Sequence, residues 1–142
     1  MVMVGECELR EELYYWQKGL TWAKVESDGK ARIGFTDLAQ KLAGKIRFIR
    51  IKPKGVTVAQ GKGVATIETA KWVGPVESPV TGVVEEVNMA LRRKPSLLNE
   101  SPYDDGWIAL VKMSKPDEIK NLVHGEAAVE WYKKEIETRV KK

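Results

Sequence analysis

From Tyr14 to Asn88 the chain is written in short runs of alternating apolar and polar residues, broken by Gly, Pro, Asn and Asp. Tyr14 to Trp16 and Leu20 to Glu26 are expected to be strands joined around Gln17-Lys18-Gly19. Asp28-Gly29 is a hairpin signal, because both residue types tolerate positive φ, and Ala31 to Phe35 is the return strand. Thr36 or Asp37 can cap a short helix through Leu38, Ala39 and Leu42, with Gly44 as its C-cap. Lys45 to Ile51 alternates basic and apolar residues with one slip at Phe48-Ile49, which predicts a bulge or the end of the half-buried strand. Pro53-Lys54-Gly55 and Gln60-Gly61-Lys62-Gly63 are turns around a strand at Val56 to Val58. Val64 to Glu68 is the next strand, expected to place Val64, Thr66 and Glu68 on one face and Ala65 and Ile67 on the other. Val73 to Glu77 and Val83 to Asn88 complete the set. Many short strands with Gly and Pro turns predict a small β barrel or sandwich.

The C-terminal segment, about 115–140, changes period. Ser114 precedes Lys115-Pro116-Asp117-Glu118, a helix start with Pro early and acids in the first turn. Ile119, Leu122 and Val123 have helical spacing, and Gly125 is expected to break this helix. Ala128, Val129, Tyr132 and Ile136 continue a second apolar stripe ending at Val140. The cations Lys133, Lys134, Arg139, Lys141 and Lys142 suit the C-terminal end of a helix dipole. Glu126, Glu130, Glu135 and Glu137 dilute that charge, so this helix is expected to pack on the barrel and not on a membrane.

Length and composition bound the reading further. A chain of 142 residues suits one domain over 1–142, and 43% apolar residues can build one modest core. No run approaches the ~20 apolar residues of a membrane-spanning helix, and the first residues do not form a secretory leader. The sequence is therefore read as that of a soluble, cytoplasmic, monomeric protein. The single cysteine, Cys7, excludes an intramolecular disulfide and a cysteine-rich zinc cluster, and it is read as an inert terminal residue. The net charge of +4 conceals a gradient. Ala31 to Lys62 holds eight basic residues and one acid, Asp37, whereas Gly63 to Leu110 holds seven acids and four bases. Basic strands can bind polyanions, but only Phe35 and Phe48 interleave with these cations. Docking on an acidic protein is expected ahead of nucleic-acid binding.

Enzyme signatures are missing. No metalloprotease, CxxC, Walker or dinucleotide-binding motif occurs. His124, beside Gly125, is read as a helix-end residue. Glu85-Glu86 would point to opposite faces of a strand, and Asp104-Asp105 before Gly106 reads as a turn. The informative segment is Ile67 to Gly82, which places Lys71 in a short turn between two strands. A lysine at such a tip projects into solvent and can enter another protein's site. Acylation there would turn its ammonium into a neutral amide, as acetylation does. An ordinary surface lysine would occupy the same position.

The wider pattern resembles the glycine cleavage system H protein family of lipoyl carriers. That family has Glu-Ser/Thr-x-Lys at its lipoylated turn, here Glu68-Thr69-Ala70-Lys71. Seven residues beyond its lysine it has Ser-Pro-Val-x-Gly, here Ser78-Pro79-Val80-Thr81-Gly82. Val-x-x-x-Asn follows as Val84 to Asn88. Leu-x-Asn-x-x-Pro-Tyr-x-x-Gly-Trp follows as Leu97 to Trp107, and upstream Gly34 to Gln40 matches Gly-Ile-Thr-Asp-x-Ala-Gln with Phe35 in place of Ile. The order and spacing of these blocks carry the resemblance over most of the chain.

The resemblance implies a mainly β, flattened sandwich of the lipoyl/biotinyl (barrel-sandwich hybrid) type, with a short internal helix and C-terminal helices. It implies covalent lipoate on Lys71, with Glu68 serving either recognition by the lipoylating enzyme or the turn itself. It implies a carrier and not a catalyst, whose arm shuttles an aminomethyl group between glycine decarboxylase, aminomethyltransferase and dihydrolipoyl dehydrogenase. A lipoate ligase or lipoyl transferase would load it. Neither nucleic acid nor membrane is an expected partner. The chain departs from the family pattern at Leu20-Thr21-Trp22, where the family has His-Glu-Trp, and at Trp72, where the residue after the lysine is usually small. Trp72 either contacts the arm or a partner, or packs on the barrel. Two alternatives stand beside this reading. One is a lipoate-bearing carrier of sulfur intermediates for a heterodisulfide-reductase-like oxidation system. The other, more distant, is a noncovalent binding module built on the basic strands.

Overall fold

A computed structural model describes residues 2–139; Met1, Val140, Lys141 and Lys142, including the expected end of the C-terminal stripe and two of its cations, lie outside the described residues. Strands β1 (Val2–Val4) and β2 (Cys7–Leu9) form a hairpin. β3 (Tyr14–Trp16), β4 (Thr21–Val25) and β5 (Lys30–Phe35) form an antiparallel meander. Helix α1 (Asp37–Ala43) follows, then β6 (Phe48–Ile51), β7 (Thr57–Val58), β8 (Gly63–Glu68), β9 (Val73–Glu77) and β10 (Gly82–Val87). Short helices α2 (Ala90–Arg93) and α3 (Leu97–Glu100) precede β11 (Ala109–Met113). A 3-10 turn at Pro116–Asn121 leads into β12 (Val123–His124) and α4 (Glu126–Arg139).

The strands make a seven-stranded sheet in the order β12-β3-β4-β5-β11-β10-β7 and a three-stranded sheet in the order β6-β8-β9. Their inward residues belong to one buried cluster. Trp22, Ile33 and Val111 enter it from the larger sheet, and Ile49, Ile67 and Val76 from the smaller. The local chemistry follows the sequence closely in the first half. Asp28 and Gly29 adopt φ of 63° and 73° in the turn between β4 and β5. The Thr36 hydroxyl accepts the Ala39 amide at 3.1 Å and caps α1, and Gly44 ends the helix at φ 85°.

Four expectations need correction. The slip at Phe48-Ile49 is not a bulge: β6 starts at Phe48 and pairs in regular register with β8, and the buried Ile46 lies before the strand. Val64 does not share the exposed face of Thr66 and Glu68. A register shift between Gly63 and Ala65 inserts Val64 as an extra residue, and the bulge turns it inward. The helix expected through Leu122 and Val123 stops at Asn121. Leu122 is extended, and Val123 and His124 instead pair with Tyr15 and Tyr14 as an edge strand. His124 is thus not a helix end; its ring stacks on Tyr14 at 4.2 Å, and Nδ1 lies 3.0 Å from the Leu13 carbonyl oxygen. The inert reading of Cys7 needs no change: β2 buries it, and burial pushes its thiol pKa up. The α4 stripe holds, with Ala128, Tyr132 and Ile136 buried.

Tyrosine hydroxyls fasten the helices to the N-terminal hairpin. The Glu8 carbonyl accepts from Tyr103 at 2.7 Å and from Tyr132 at 2.9 Å. These hydroxyls accept in turn from the Asp37 and Leu38 amides at the start of α1. Tyr15 donates to the Arg10 carbonyl at 2.7 Å. Burial raises the pKa of all three phenols well above the usual tyrosine range. A phenol raised in the folded state contributes stability that is fully present below the ordinary value of about 10 and is lost as pH rises through it toward the folded value. Alkaline titration followed by phenolate absorbance should therefore show these three tyrosines ionising together with unfolding. Ionisation of all of them in a chain whose circular dichroism is still native would contradict the packing.

Candidate functional site

The turn between β8 and β9 is built by Thr69. Its amide donates to the Trp72 carbonyl at 2.8 Å. Its side-chain oxygen accepts from the amides of Lys71 at 3.2 Å and Trp72 at 3.1 Å. Thr69 is buried while Ala70, Lys71 and Trp72 are exposed, so the hydroxyl closes the turn from below and leaves the lysine on its crest. The Ser/Thr alternation of the motif at this position is the sequence signal for a hydroxyl that closes the turn. Glu68 closes the strand pair opposite Val73, and its carbonyl accepts the Arg47 amide at 2.9 Å. The Glu68 side chain is exposed on the outer face of the sheet.

The Lys71 side chain runs toward the end of α1. A Cβ at Gly44 would sit 3.4 Å from Lys71 Cε and 3.7 Å from Nζ. Beside it opens a cleft of about 460 Å³. Leu20, Phe35, Ala39, Ala43, Trp72 and Pro75 give it an apolar wall, and Lys18, Glu77 and Arg139 bring charge to it. Glu77 is already engaged, accepting the Trp16 indole N–H at 2.8 Å. Trp72 lies across the β9 backbone: a Cβ at Gly74 would meet its ring at 2.2 Å. The indole therefore both packs on the sheet and lines the cleft. Leu20, in place of the family histidine, presents an alkyl side chain to the cleft at a φ of 55°. A hydrogen bond from the Thr36 amide to its carbonyl holds that uncommon conformation. The neighbouring Thr21 is buried, its hydroxyl without a partner among the described residues.

Of the other matched blocks, the one around Asn99 frames this cleft and the rest brace the fold behind it. Asn99 donates to the Gln40 side-chain oxygen and to the Gly44 carbonyl, both at 2.9 Å, and accepts the Ile46 amide at 2.9 Å. It thereby fixes the end of α1 beneath Lys71. The Trp22 indole donates to the carbonyls of Phe35 at 2.9 Å and Pro102 at 3.0 Å. Ser78 is buried and its hydroxyl donates to the Val80 carbonyl at 2.6 Å. Gly82 is required where it stands, because a Cβ there would lie 2.0 Å from the Lys112 carbonyl oxygen. Asn88 holds the loop before β11 by donating to the carbonyls of Asp105 and Trp107. Replacing Asn99 by Ala would orphan the Ile46 amide and release the end of α1. A loss of about 1–3 kcal/mol is expected in urea unfolding, with Lys71 itself still exposed and reactive. An unchanged midpoint would show that the frame does not depend on Asn99.

Two features stand together at this site. It offers an accessible amine on a rigid crest and, within reach of that amine, an apolar cleft for an attached chain. Among the described residues no group of His, Cys, Asp and Glu is placed to hold a metal ion. Among the described residues no helix is long and apolar enough to cross a membrane.

Comparison with known proteins agrees with this geometry. The family model described as Glycine cleavage H-protein matches residues 13–135. A probable glycine cleavage system H protein 2 of Saccharolobus solfataricus is 48% identical over 138 residues, covering 96% of this chain and 93% of that protein. The glycine cleavage system H protein 2 of Aquifex aeolicus is 46% identical, with 92% and 82% covered. Among solved structures, a glycine cleavage system H protein from Mycobacterium marinum superposes with a TM-score of 0.75 at 25% identity, covering 89% of this chain and 98% of that one. The expected flattened β sandwich with added helices is the architecture found.

Proposed function

Because the chain belongs to the glycine cleavage H-protein family, we propose that Lys71 is the lysine on which it carries lipoate. Members of the family bear lipoate covalently on a lysine, and the chain is a lipoyl carrier of glycine cleavage. The observation that supports Lys71 is its place on the Thr69-closed crest with its side chain directed along the cleft. When bound, lipoate supplies a dithiolane that accepts the aminomethyl group and returns to the disulfide on reoxidation.

The protein's own residues have narrower tasks. The turn presents the Lys71 amine to the loading enzyme, and the resulting amide carries no charge, so the arm can lie against apolar walls without desolvating an ammonium. Leu20, Phe35 and Ala39 supply those walls and exclude water from one side of the arm. Asn99 and the Thr36 cap keep α1 in position, which keeps the cleft open next to the crest. We assign Glu68, exposed three residues before the lysine, to recognition by a lipoate ligase or lipoyl transferase. The chain works with the other glycine cleavage components. We assign the arm's successive hosts to glycine decarboxylase, aminomethyltransferase and dihydrolipoyl dehydrogenase. The relatives above all carry glycine cleavage names, which favours this cargo over sulfur intermediates.

The test is exchange chemistry. The lipoylated chain, glycine decarboxylase, glycine and labelled bicarbonate should together move label into glycine at a rate proportional to carrier concentration. Confirmed lipoylation without exchange, alongside a working H protein, would remove the aminomethyl role.

A further inference from the structure

A second concave site lies at the other edge of the small sheet. β6 is an edge strand of that sheet, and α2 lies against it. Between them runs a groove of about 320 Å³. Phe48, Ile51 and Pro95 give it apolar walls above the buried Leu91, and Arg50 and Arg92 line it beside them. The groove joins the crest through an exposed row across the sheet, Phe48–Glu68–Val73, followed by Arg50–Thr66–Pro75. Phe48 is 52% exposed and Val73 62%, so this row presents apolar surface beside the groove.

Charge decides what fits there. Lys45 to Lys54 contains five cations and no acid, and α2 and the residue after it add Arg92, Arg93 and Lys94. Lys94 is paired with Glu100 at 2.9 Å. Among the described residues, Arg47, Arg50, Lys52, Arg92 and Arg93 form no ion pair. Single-stranded nucleic acid would want several stacking rings, and Phe48 is the one aromatic side chain in the groove wall. A narrow apolar slot rimmed by guanidinium groups matches a peptide that alternates acidic and aliphatic side chains. Carboxylates would meet the arginine forks while the aliphatic groups entered between Phe48 and Pro95.

We propose that the groove between β6 and α2 is a docking site for an acidic segment of a protein partner, anchored by an aliphatic side chain. That the partner is an enzyme served by the arm rests on the carrier role proposed above; binding in the groove does not. Docking along β6 would hold the partner beside the crest while leaving Lys71, which does not line the groove, uncovered.

The test uses the full chain and a fluorescein-labelled peptide of alternating Glu and Leu, with a Lys and Leu peptide as control. Anisotropy should report binding of the acidic peptide alone, equal for the wild type and Lys71→Arg. The double variant Arg50→Glu/Arg92→Glu should weaken it roughly tenfold or more. Phe48→Ser, at unchanged net charge, should weaken it severalfold. All three positions line the surface, so matching unfolding midpoints confirm that the variants are folded. Three outcomes overturn the site: no binding of the acidic peptide, binding unaffected by these substitutions, or equal binding of oligo-dT or phosphatidylglycerol vesicles independent of Phe48. In the exchange assay the double variant should raise the KM for carrier with kcat unchanged. Unaltered KM in a working assay would detach the groove from the arm's partners. Absent exchange with intact peptide binding would count against the carrier reading and not against the groove.

Discussion

Lys71→Arg is expected to leave the fold unchanged and to bring lipoate uptake, and with it glycine–bicarbonate exchange, to background. The side chain is exposed on the crest of the turn, and the hydrogen bonds that shape that turn come from Thr69 and from backbone amides. A surface substitution of this kind should move stability by no more than about 0.5 kcal/mol. Arg keeps the positive charge and the length but offers no amine that can be deprotonated and acylated. A matched unfolding midpoint together with complete loss of acylation would separate chemistry from folding. Residual acylation of the variant, read by intact mass, would show that another lysine is loaded.

Trp22→Ala should be the most damaging single change to the fold. Trp22 is 1% exposed, and its indole fills the space left by Gly34, where a Cβ would meet the ring at 2.5 Å. Truncation leaves a cavity expected to cost about 3–5 kcal/mol. It also removes the donor shared by the Phe35 and Pro102 carbonyls, which ties the β4–β5 pair to the loop before β11. For a chain of this size the thermal midpoint should fall by roughly 10–20 °C. Trp22→Phe keeps most of the apolar volume and should lose markedly less. Equal losses from Ala and Phe would assign the effect to the hydrogen bonds and not to packing.

What could be read ahead of the structure was local. The turn at Asp28-Gly29, the Thr36 cap, the Gly44 stop and the turn bearing Lys71 each need only a few neighbouring residues, so their chemistry is written in place. The cleft was not legible. Its walls come from Leu20, Phe35 to Ala43, Trp72 to Glu77 and Arg139, which only the folded chain brings together. Asn99 shows the same limit: the motif marked it, but its partners Gln40, Gly44 and Ile46 lie more than fifty positions away. The misread stretch from Ile119 to His124 had a different cause. Three apolar residues at helical spacing also fit a short turn and a strand, and pairing of β12 with β3 decided between them. The N-terminal hairpin, α2, α3 and β11 went unread because each is short and takes its stability from tertiary packing and not from local pattern.

Glu68 and Trp72 show how the carrier reading divides between turn and arm. Glu68 contributes its backbone to the sheet and leaves its carboxylate exposed, so its substitution should alter loading without altering the fold. Trp72 is fixed on Gly74 and bounds the cleft, so an arm on Lys71 would have a large aromatic wall close to its root.

The central claim is that lipoate sits on Lys71, and peptide mapping of the lipoylated chain tests it most directly. The chain would be loaded by a lipoate ligase, digested, and sequenced by tandem mass spectrometry. The account predicts one lipoyl amide, on Lys71; a lipoyl group on any other lysine, with Lys71 unmodified, would contradict it.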